Sequence, residues 1–268
     1  HITVMYGCHE AIAPDFMLFD YYIGLDTVPG SDRTVKLPYL RHHLQEVHGG
    51  KEGLDAHALL ASKTGFCNFI YANRKSHPNR DAMFYKLSAF RFVNSLGPHL
   101  NNTPGDGHRA EDWYASSIRM KKPYKFSIAF ENAWYPGYTS EKIVTSMLAG
   151  TIPIYWGNPD ISREFNSASF INCHDFPTLD DAAAYVKKVD EDDNLWCEIM
   201  SRPWKTPEQE ARFLEETERE TAKLYKIFDQ SPEEARRKGD GTWVSYYQRF
   251  LKRGHRMQLA WRRLDRKS

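Results

Sequence analysis

At 268 residues the chain is long enough for two compact lobes, and its 36 Lys or Arg against 35 Asp or Glu argue against a generally basic, nucleic-acid-binding surface. The four cysteines stand far apart with no CxxC pair, so we expect free thiols in a reducing compartment and neither a zinc site nor a redox motif. No apolar run approaches the roughly 20 residues that a membrane-spanning helix needs.

The chain opens with two strand-like runs, Ile2–Tyr6 and Phe19–Leu25. Because the first run starts at residue 2 and no methionine precedes it, we expect the first lobe to be incomplete in this sequence. The glycine-rich stretch Gly49–Ser62 predicts a linker and places a lobe boundary near residue 60. The histidines between His42 and His48 match no established ligand spacing, which favours an exposed polar segment over a metal site.

A strand and a helix are predicted to open the second lobe. The strand is Thr64–Asn73, and the helix starts at Arg80 and places four apolar residues at helical spacing, Met83, Phe84, Leu87 and Phe90. A cation in the first turn of a helix is locally disfavoured. We therefore expect Arg80 to have an anionic partner.

The stretch from Tyr124 to Phe176 carries the strongest pattern in the chain. Its predicted elements are a strand at Lys125–Phe130, a helix that begins after Thr139 or Ser140 and ends at Gly150, and a strand at Thr151–Trp156. Such a unit directs the helix N-terminus to the carboxyl edge of a parallel sheet, where N–H groups and the helix dipole favour an anion. The residues alone therefore predict a phosphate or nucleotide site.

The C-terminal third of the chain is predicted to be mainly helical. Its predicted elements are a short strand at Ser169–Cys173, a helix from Thr178 to about Val189 and an amphipathic helix at Pro207–Phe228. The acidic run that starts at Asp190 follows a helix, which favours a solvated helix end over a metal site. The tail Arg249–Ser268 carries eight Lys or Arg and one Asp. It predicts either a membrane-surface helix or a solvated helix folded onto the body.

Three separated segments resemble the GDP-fucose-dependent α-1,3-fucosyltransferases, most strongly the bacterial members. The segments are RDAMFYKLSAFRFVNSLG from residue 80, FENAWYPGYTSEK from residue 130 and AGTIPIYWG from residue 149. The resemblance implies an α/β fold with two Rossmann-like lobes of the GT-B type. Residues 1–60 would form the acceptor-side lobe, 61–204 the donor lobe, and 205–268 the C-terminal helices with the basic tail.

The same resemblance implies a donor site made by side chains from two segments, Arg80, Glu131, Asn132, Tyr138, Ser140, Glu141 and Lys142. The cations Arg80 and Lys142 are expected to neutralise the donor diphosphate together with the helix N-terminus. The amide, phenol and carboxylate groups are expected to hold the nucleotide and sugar, with Glu131 either in the site or shaping the loop. No metal ion is required, and no cofactor besides the substrate GDP-fucose is implied.

An alignment with the family without a gap places Glu10 at the position of the carboxylate that takes the acceptor hydroxyl proton. An inverting transferase needs one such general base. The surrounding string, CHEAIAPDF, departs from the family's usual context. A solvated loop carboxylate is therefore the alternative interpretation of Glu10.

The resemblance implies an inverting enzyme that moves fucose from GDP-fucose to a hydroxyl, O3 by expectation, of a GlcNAc- or glucose-containing glycan. Two alternatives stay open: a transferase of another GDP-sugar, and a nucleotide-binding or scaffolding protein without catalysis. The expected partners are GDP-fucose and the glycan acceptor, without nucleic acid. We expect a cytoplasmic protein that touches the inner face of a bacterial membrane through its tail. No motif in the sequence identifies the acceptor or the oligomeric state, and none distinguishes an α-1,3 from an α-1,4 linkage.

Overall fold

The computed structural model describes residues 2–7, 14–25, 31–36, 51, 53–104, 112–239, 245–247, 249–251 and 253. The chain forms two compact units, one of His1–Leu37 with Arg219–Ser268 and one of Pro38–Glu218. Each unit has its own parallel β-sheet, so the predicted α/β class with parallel sheets is confirmed. The acceptor and donor roles assigned to residues 1–60 and 61–204 stay predictions, because compactness does not show what a unit binds.

The first unit is a small sheet completed by the end of the chain. Its strands are β1 (Val4–Tyr6), β2 (Tyr21–Gly24) and β3 (Thr34–Lys36), in the order β1-β2-β3. Two C-terminal helices, α7 (Pro207–Asp229) and α8 (Pro232–Ala235), follow in sequence. Ile227 and Ala235 from these helices form one apolar cluster with Tyr21 and Val35. The sheet core therefore depends on residues about 200 positions away in the chain.

A buried carboxylate joins the two ends of the first unit. Asp20 accepts hydrogen bonds from the backbone N–H groups of Thr3, Arg237 and Lys238, each at 2.7 Å. Burial alone would raise the pKa of Asp20, but these donors outweigh it and lower the pKa to about 2. Asp20 is therefore ionised in the folded unit at neutral pH.

Replacing Asp20 with asparagine is expected to lower the free energy of unfolding by about 2 kcal/mol at pH 7. Because the folded pKa lies below the ordinary value of 3.8, this stabilisation is present above about pH 4 and is lost as the pH falls towards 2. Hydrogen exchange of the β2 amides, measured between pH 7 and pH 3, checks both effects. Asp229→Asn, at an exposed α7 position, is the control. An unchanged acid dependence in Asp20→Asn would contradict the assignment.

The second unit is a five-stranded parallel sheet with helices between its strands. Its strands are β4 (Gly65–Phe69), β5 (Val93–Ser95), β6 (Tyr124–Phe130), β7 (Ile152–Trp156) and β8 (Ile171–Asn172), in the order β5-β4-β6-β7-β8. Its helices are α1 (Ala56–Ala61), α2 (Asn79–Ser88), α3 (Trp113–Lys121), α4 (Glu141–Leu148), α5 (Leu179–Glu191) and α6 (Asp193–Ser201).

The strand order creates one crevice at the carboxyl edge of this sheet. After β4 the chain moves to β5 on one side, whereas β6, β7 and β8 follow on the other side. The connections that leave β4 and β6 therefore separate to opposite sides. In parallel α/β sheets, ligands bind at such a switch point, outside the carboxyl ends of the strands. A ligand site is therefore expected at the loops after β4 and β6.

Local sequence signals correctly placed both ends of α4 and the start of α5. Ser140 is the N-cap of α4, and Gly150 follows its C-cap with φ +64°, a backbone conformation that favours glycine. Thr178 caps α5 in a capping box with Asp181. The first strand and helix differ slightly from the prediction, because β4 ends at Phe69 and α2 begins at Asn79, one residue before Arg80.

One prediction about this unit was wrong, and another was wrong in part. The predicted linker contains α1, which is capped by the side chain of Asp55 and packs against α6. In the acidic run, residues 191–193 are exposed as predicted, but the side chain of Asp190 is buried and forms ion pairs with Arg91 at 3.1 Å and Lys125 at 3.4 Å. Both outcomes depend on contacts with distant segments, which composition does not reveal.

The predictions about cysteines, histidines, the basic tail and membrane spans fall only partly within the described residues. Cys67, Cys173 and Cys197 are free and buried, as expected for them. Cys8, the histidines between His42 and His48, and most of the basic tail lie outside the described residues. Among the helices that the structure describes, none combines the length and apolarity needed to cross a bilayer.

Candidate functional site

The loops after β4 and β6 meet at the switch point of the sheet. The backbone N–H of His77 donates to the carbonyl of Asn132 at 2.8 Å. The side chain of Asn132 also accepts a bond from Arg80 Nη1 at 3.4 Å. Asn132 therefore connects the two segments that the sequence implicated separately. The structure brings Arg80 next to the loop after Phe130, which contains Glu131 and Asn132, as the two sequence motifs predict.

The Arg80 side chain is buried among residues of the two loops that meet at this crevice. It is fully buried, its guanidinium lies 4.3 Å from the centre of the Tyr71 ring, and Nη2 donates to the carbonyl of Asn73. Asp81 is its acidic neighbour, at 3.7 Å. Within the described part of the chain, Arg80 Nε has no hydrogen-bond acceptor. The anion that faces Nε in the described structure is the Asp81 carboxylate, and a guanidinium is by its chemistry a strong donor for phosphate oxygens.

A second cation, Lys142, lies in the first turn of α4 and is fixed by Glu131. The carboxylate of Glu131 is fully buried and lies 3.0 Å from Lys142 Nζ. It also accepts bonds from Ser140, at 2.8 Å from the backbone N–H and at 2.7 Å from the hydroxyl. Glu131, Ser140 and Lys142 therefore form one unit, which we call the Glu131 clamp. The clamp ties the start of α4 to the end of β6.

The clamp determines the charge of Lys142. Burial opposes protonation, but the carboxylates of Glu131 and Glu141 outweigh burial and raise the pKa of Lys142 well above its ordinary value. The Lys142 ammonium is therefore charged at neutral pH. Its side chain is 19% exposed, so this charge reaches the crevice beside the helix N-terminus.

Gly157, directly after β7, leaves the room that the clamp requires. Its φ is +150°, and a Cβ there would lie 2.5 Å from both Cβ and Cγ of Glu131. Any side chain at this position would therefore move Glu131 or distort the backbone. The sequence motif contains this glycine, but its contact with Glu131 is visible only in the structure.

Gly157→Ala is expected to reduce the free energy of unfolding by about 3 kcal/mol, because the clamp must shift. Thermal denaturation measures this effect. Gly53→Ala is the matched control, since Gly53 also has a positive φ, +77°, but open space around it. An equal loss of stability in the two variants would show that the contact with Glu131 is unimportant.

Asn158 is a second organising residue of the site, and the sequence analysis missed it. Its buried amide oxygen accepts bonds from the N–H groups of Gly137 at 2.8 Å and Asp160 at 3.0 Å. Its amide nitrogen donates to Thr139 at 3.0 Å and Glu164 at 3.3 Å. The loop before α4 and the loop after β7 are thereby joined. An asparagine-proline pair that follows the glycine at the end of a strand was the available signal.

Lys121, the last residue of α3, forms hydrogen bonds with side chains of α4. Its buried Nζ donates to the hydroxyls of Thr145 at 2.6 Å and Ser146 at 3.2 Å. Burial lowers the pKa of Lys121 to about 7. Lys121 is therefore only partly protonated near pH 7, whereas Lys142 stays charged.

Aromatic rings line the crevice at the end of β7. The Trp156 ring has His77 at 4.5 Å and His174 at 6.0 Å, measured between ring centres. Ring faces of this size suit the apolar surface of a base or a sugar. Burial lowers the pKa of His174, so this ring is neutral at pH 7.

The other predicted site residues occupy different environments. Tyr138 is buried with 2% of its surface exposed, whereas the Glu141 side chain is 21% exposed beside Lys142. Glu10 lies outside the described residues. The structure therefore collects the seven predicted donor-site residues around one sheet edge, and their roles in binding stay predictions.

Residues 60–236 match the C-terminal domain of glycosyltransferase family 10, the fucosyltransferases. An alpha-(1,3)-fucosyltransferase of Helicobacter pylori is 29% identical over 238 residues, 77% of this chain and 48% of the relative. The chain thus spans about half the length of that protein.

Two solved α1,3-fucosyltransferase structures are similar to this chain. The structure with GDP has 29% identity and a TM-score of 0.60, covering 74% of this chain and 64% of the other. The structure with GDP-fucose has 24% identity and a TM-score of 0.68, covering 88% and 77%. The GT-B fold class expected from the sequence resemblance is confirmed.

Proposed function

Because the chain belongs to glycosyltransferase family 10, the fucosyltransferases, we propose that it transfers fucose from GDP-fucose to a hydroxyl of a glycan. The sequence resemblance to this family is thereby confirmed. The observation that carries the proposal is the pair of fixed cations, Arg80 and Lys142, at the switch point of a parallel sheet. Solved structures similar to this chain hold GDP and GDP-fucose.

The donor diphosphate is proposed to lie between Arg80 and the N-terminus of α4. Breaking the bond between fucose and the diphosphate leaves negative charge on GDP. Fixed cations and helix N–H groups stabilise this charge without reorganising during the reaction. The Glu131 clamp holds Lys142 charged and in place, so we assign Glu131 to positioning. Asn132, Tyr138, Ser140 and Glu141 are proposed to complete the donor pocket.

The acceptor half of the reaction is proposed to depend on Glu10. Its carboxylate would take the proton of the acceptor hydroxyl as the new glycosidic bond forms, giving inversion at the fucose carbon. Since two cations and a helix dipole serve the diphosphate, the reaction is proposed to need no metal ion. The acceptor is proposed to be a GlcNAc- or glucose-containing glycan, joined through O3.

A transfer assay tests this function against its alternatives. The chain is incubated with GDP-fucose or GDP-mannose and a panel of GlcNAc- and glucose-terminated glycans, with and without EDTA, and the product linkage is read by NMR. The expected result is an α-linked fucosyl product from GDP-fucose that EDTA does not suppress. Preferred turnover of GDP-mannose would overturn the donor assignment. GDP binding without any transfer would favour a scaffolding protein instead.

A further inference from the structure

A cavity of about 570 Å³ lies at the amino edge of the sheet in the second unit. Lys63, Lys122 and Gly150 line it, and they precede β4, β6 and β7 respectively. Because the strands are parallel, this edge is opposite the edge that carries the Glu131 clamp. The volume corresponds to roughly 20 water molecules and lies within the usual range for small-molecule sites. The cavity is therefore a separate candidate for ligand binding.

The cavity combines an apolar wall with three ammonium groups. Apolar side chains along it are Leu54, Leu59, Met147, Leu148, Met200 and Trp204, and the cations are Lys51, Lys63 and Lys122. Among the described residues, no carboxylate lies within ion-pair distance of these three lysines. The site therefore presents positive charge next to an apolar surface.

In the described part of the chain, Lys51 and Lys63 each keep a hydrogen-bond donor unused. Lys51 Nζ donates to the carbonyl of Met200 and lies 5.3 Å from the centre of the Trp204 ring. Lys63 Nζ donates to the carbonyls of Lys122 at 2.7 Å and Ala149 at 3.4 Å. An ammonium has three N–H groups. Each lysine therefore has at least one donor beyond those bound by carbonyls in the part of the chain that is described.

The placement of these lysines is electrostatically costly without an anion. Burial lowers the pKa of Lys51 to about 7, and burial with the charge of Lys122 lowers that of Lys63 to about 8. Lys51 and Lys63 donate to carbonyls at helix ends, so helix capping explains these hydrogen bonds. Capping explains neither the cavity nor the presence of Lys122 in its lining. Lys51 and Lys63 are partly desolvated and line one cavity, and ionisable groups with perturbed pKa values in a cavity are typical of ligand sites.

We propose that this cavity binds an amphipathic anion, with a phosphate or carboxylate head on Lys51, Lys63 and Lys122 and an aliphatic chain along the apolar wall. The head group would accept the unused ammonium donors, and the chain would cover the leucine, methionine and tryptophan side chains. The cavity lies at the opposite edge of the sheet from the Glu131 clamp, so it is distinct from the proposed donor site.

Isothermal titration of the chain with octyl phosphate, below its micelle concentration, tests the proposal. Inorganic phosphate supplies the head alone and octyl glucoside supplies the same chain without charge. Octyl phosphate is expected to bind at least tenfold more tightly than either probe. Inorganic phosphate binding as tightly would indicate a soluble phosphate site and overturn the amphipathic assignment. Equal binding of octyl glucoside would overturn the role of the lysines.

Lysine variants locate the binding. Lys51→Met and Lys63→Met are each expected to weaken octyl phosphate binding at least fivefold, while unchanged GDP affinity shows that the fold is kept. Lys122→Met provides a variant without a structural cost, because its exposed ammonium caps no helix end in the described structure. Lys187→Met, on α5 away from the cavity, is the matched control. Displacement of octyl phosphate by GDP, or wild-type binding in all three cavity variants, would overturn the proposal.

Discussion

Lys142→Ala is expected to weaken GDP binding by roughly 10- to 100-fold and to lower fucosyl transfer by about 100- to 1,000-fold. The first effect is the loss of a charge-assisted contact with phosphate. The second is larger because the lysine meets more negative charge as GDP leaves. The variant also leaves Glu131 buried without its cation, which is expected to destabilise the fold by about 3–5 kcal/mol. Calorimetry with GDP, single-turnover transfer and thermal denaturation measure these effects.

A double variant separates the loss of fold from the loss of function. Lys142→Ala with Glu131→Gln removes the cation and the orphaned negative charge together. It is expected to recover most of the thermal stability while GDP affinity stays low. Recovery of GDP affinity along with stability would mean that Lys142 acts only on the fold. That outcome would remove Lys142 from the donor site.

Glu10→Ala is expected to lower transfer by about 1,000-fold and to leave GDP affinity within twofold of the parent. A positioned general base commonly contributes between about 100-fold and 10,000-fold, and the assigned donor contacts do not involve this residue. Transfer rates across a pH series are the measurement. The parent should lose activity at acid pH as the base protonates, and the variant should lose this dependence.

Glu10→Gln keeps the size of the side chain and serves as the control for packing. It should be as inactive as Glu10→Ala if proton removal is the role of this residue. Transfer within about threefold of the parent in both variants would show that another group takes the proton. GDP binding lost together with transfer would instead indicate that residue 10 supports the fold or the donor site.

Much of the donor half was predictable, because its signals are local. Strand β6, the Ser140 cap, the Gly150 helix end and strand β7 all follow from patterns that span a few residues. The strand order that creates the switch point was not predicted, because it depends on pairing between strands that are distant in the sequence. Short-range patterns located the loop and the helix end that lie at this switch point.

The remainder depends on contacts between segments that are distant in the sequence. Glu131 and Lys142 are 11 positions apart, and nothing in their spacing shows that the carboxylate is buried against Gly157. The burial of Arg80 against Tyr71 and of Asp190 against two cations likewise requires the assembled core. Composition treats charged residues as exposed, so it is least informative where charges are buried in pairs.

The side-chain amide of Asn158 affects the chemical stability of the crevice during storage. All four of its hydrogen bonds need a neutral amide, since the nitrogen donates two and the oxygen accepts two. Asparagine deamidates when the backbone nitrogen of the next residue attacks the side-chain carbonyl. Here the next residue is Pro159, which has no backbone N–H. The residue that joins the two loops is therefore protected from the commonest spontaneous route to aspartate, and the crevice should keep its shape through long storage.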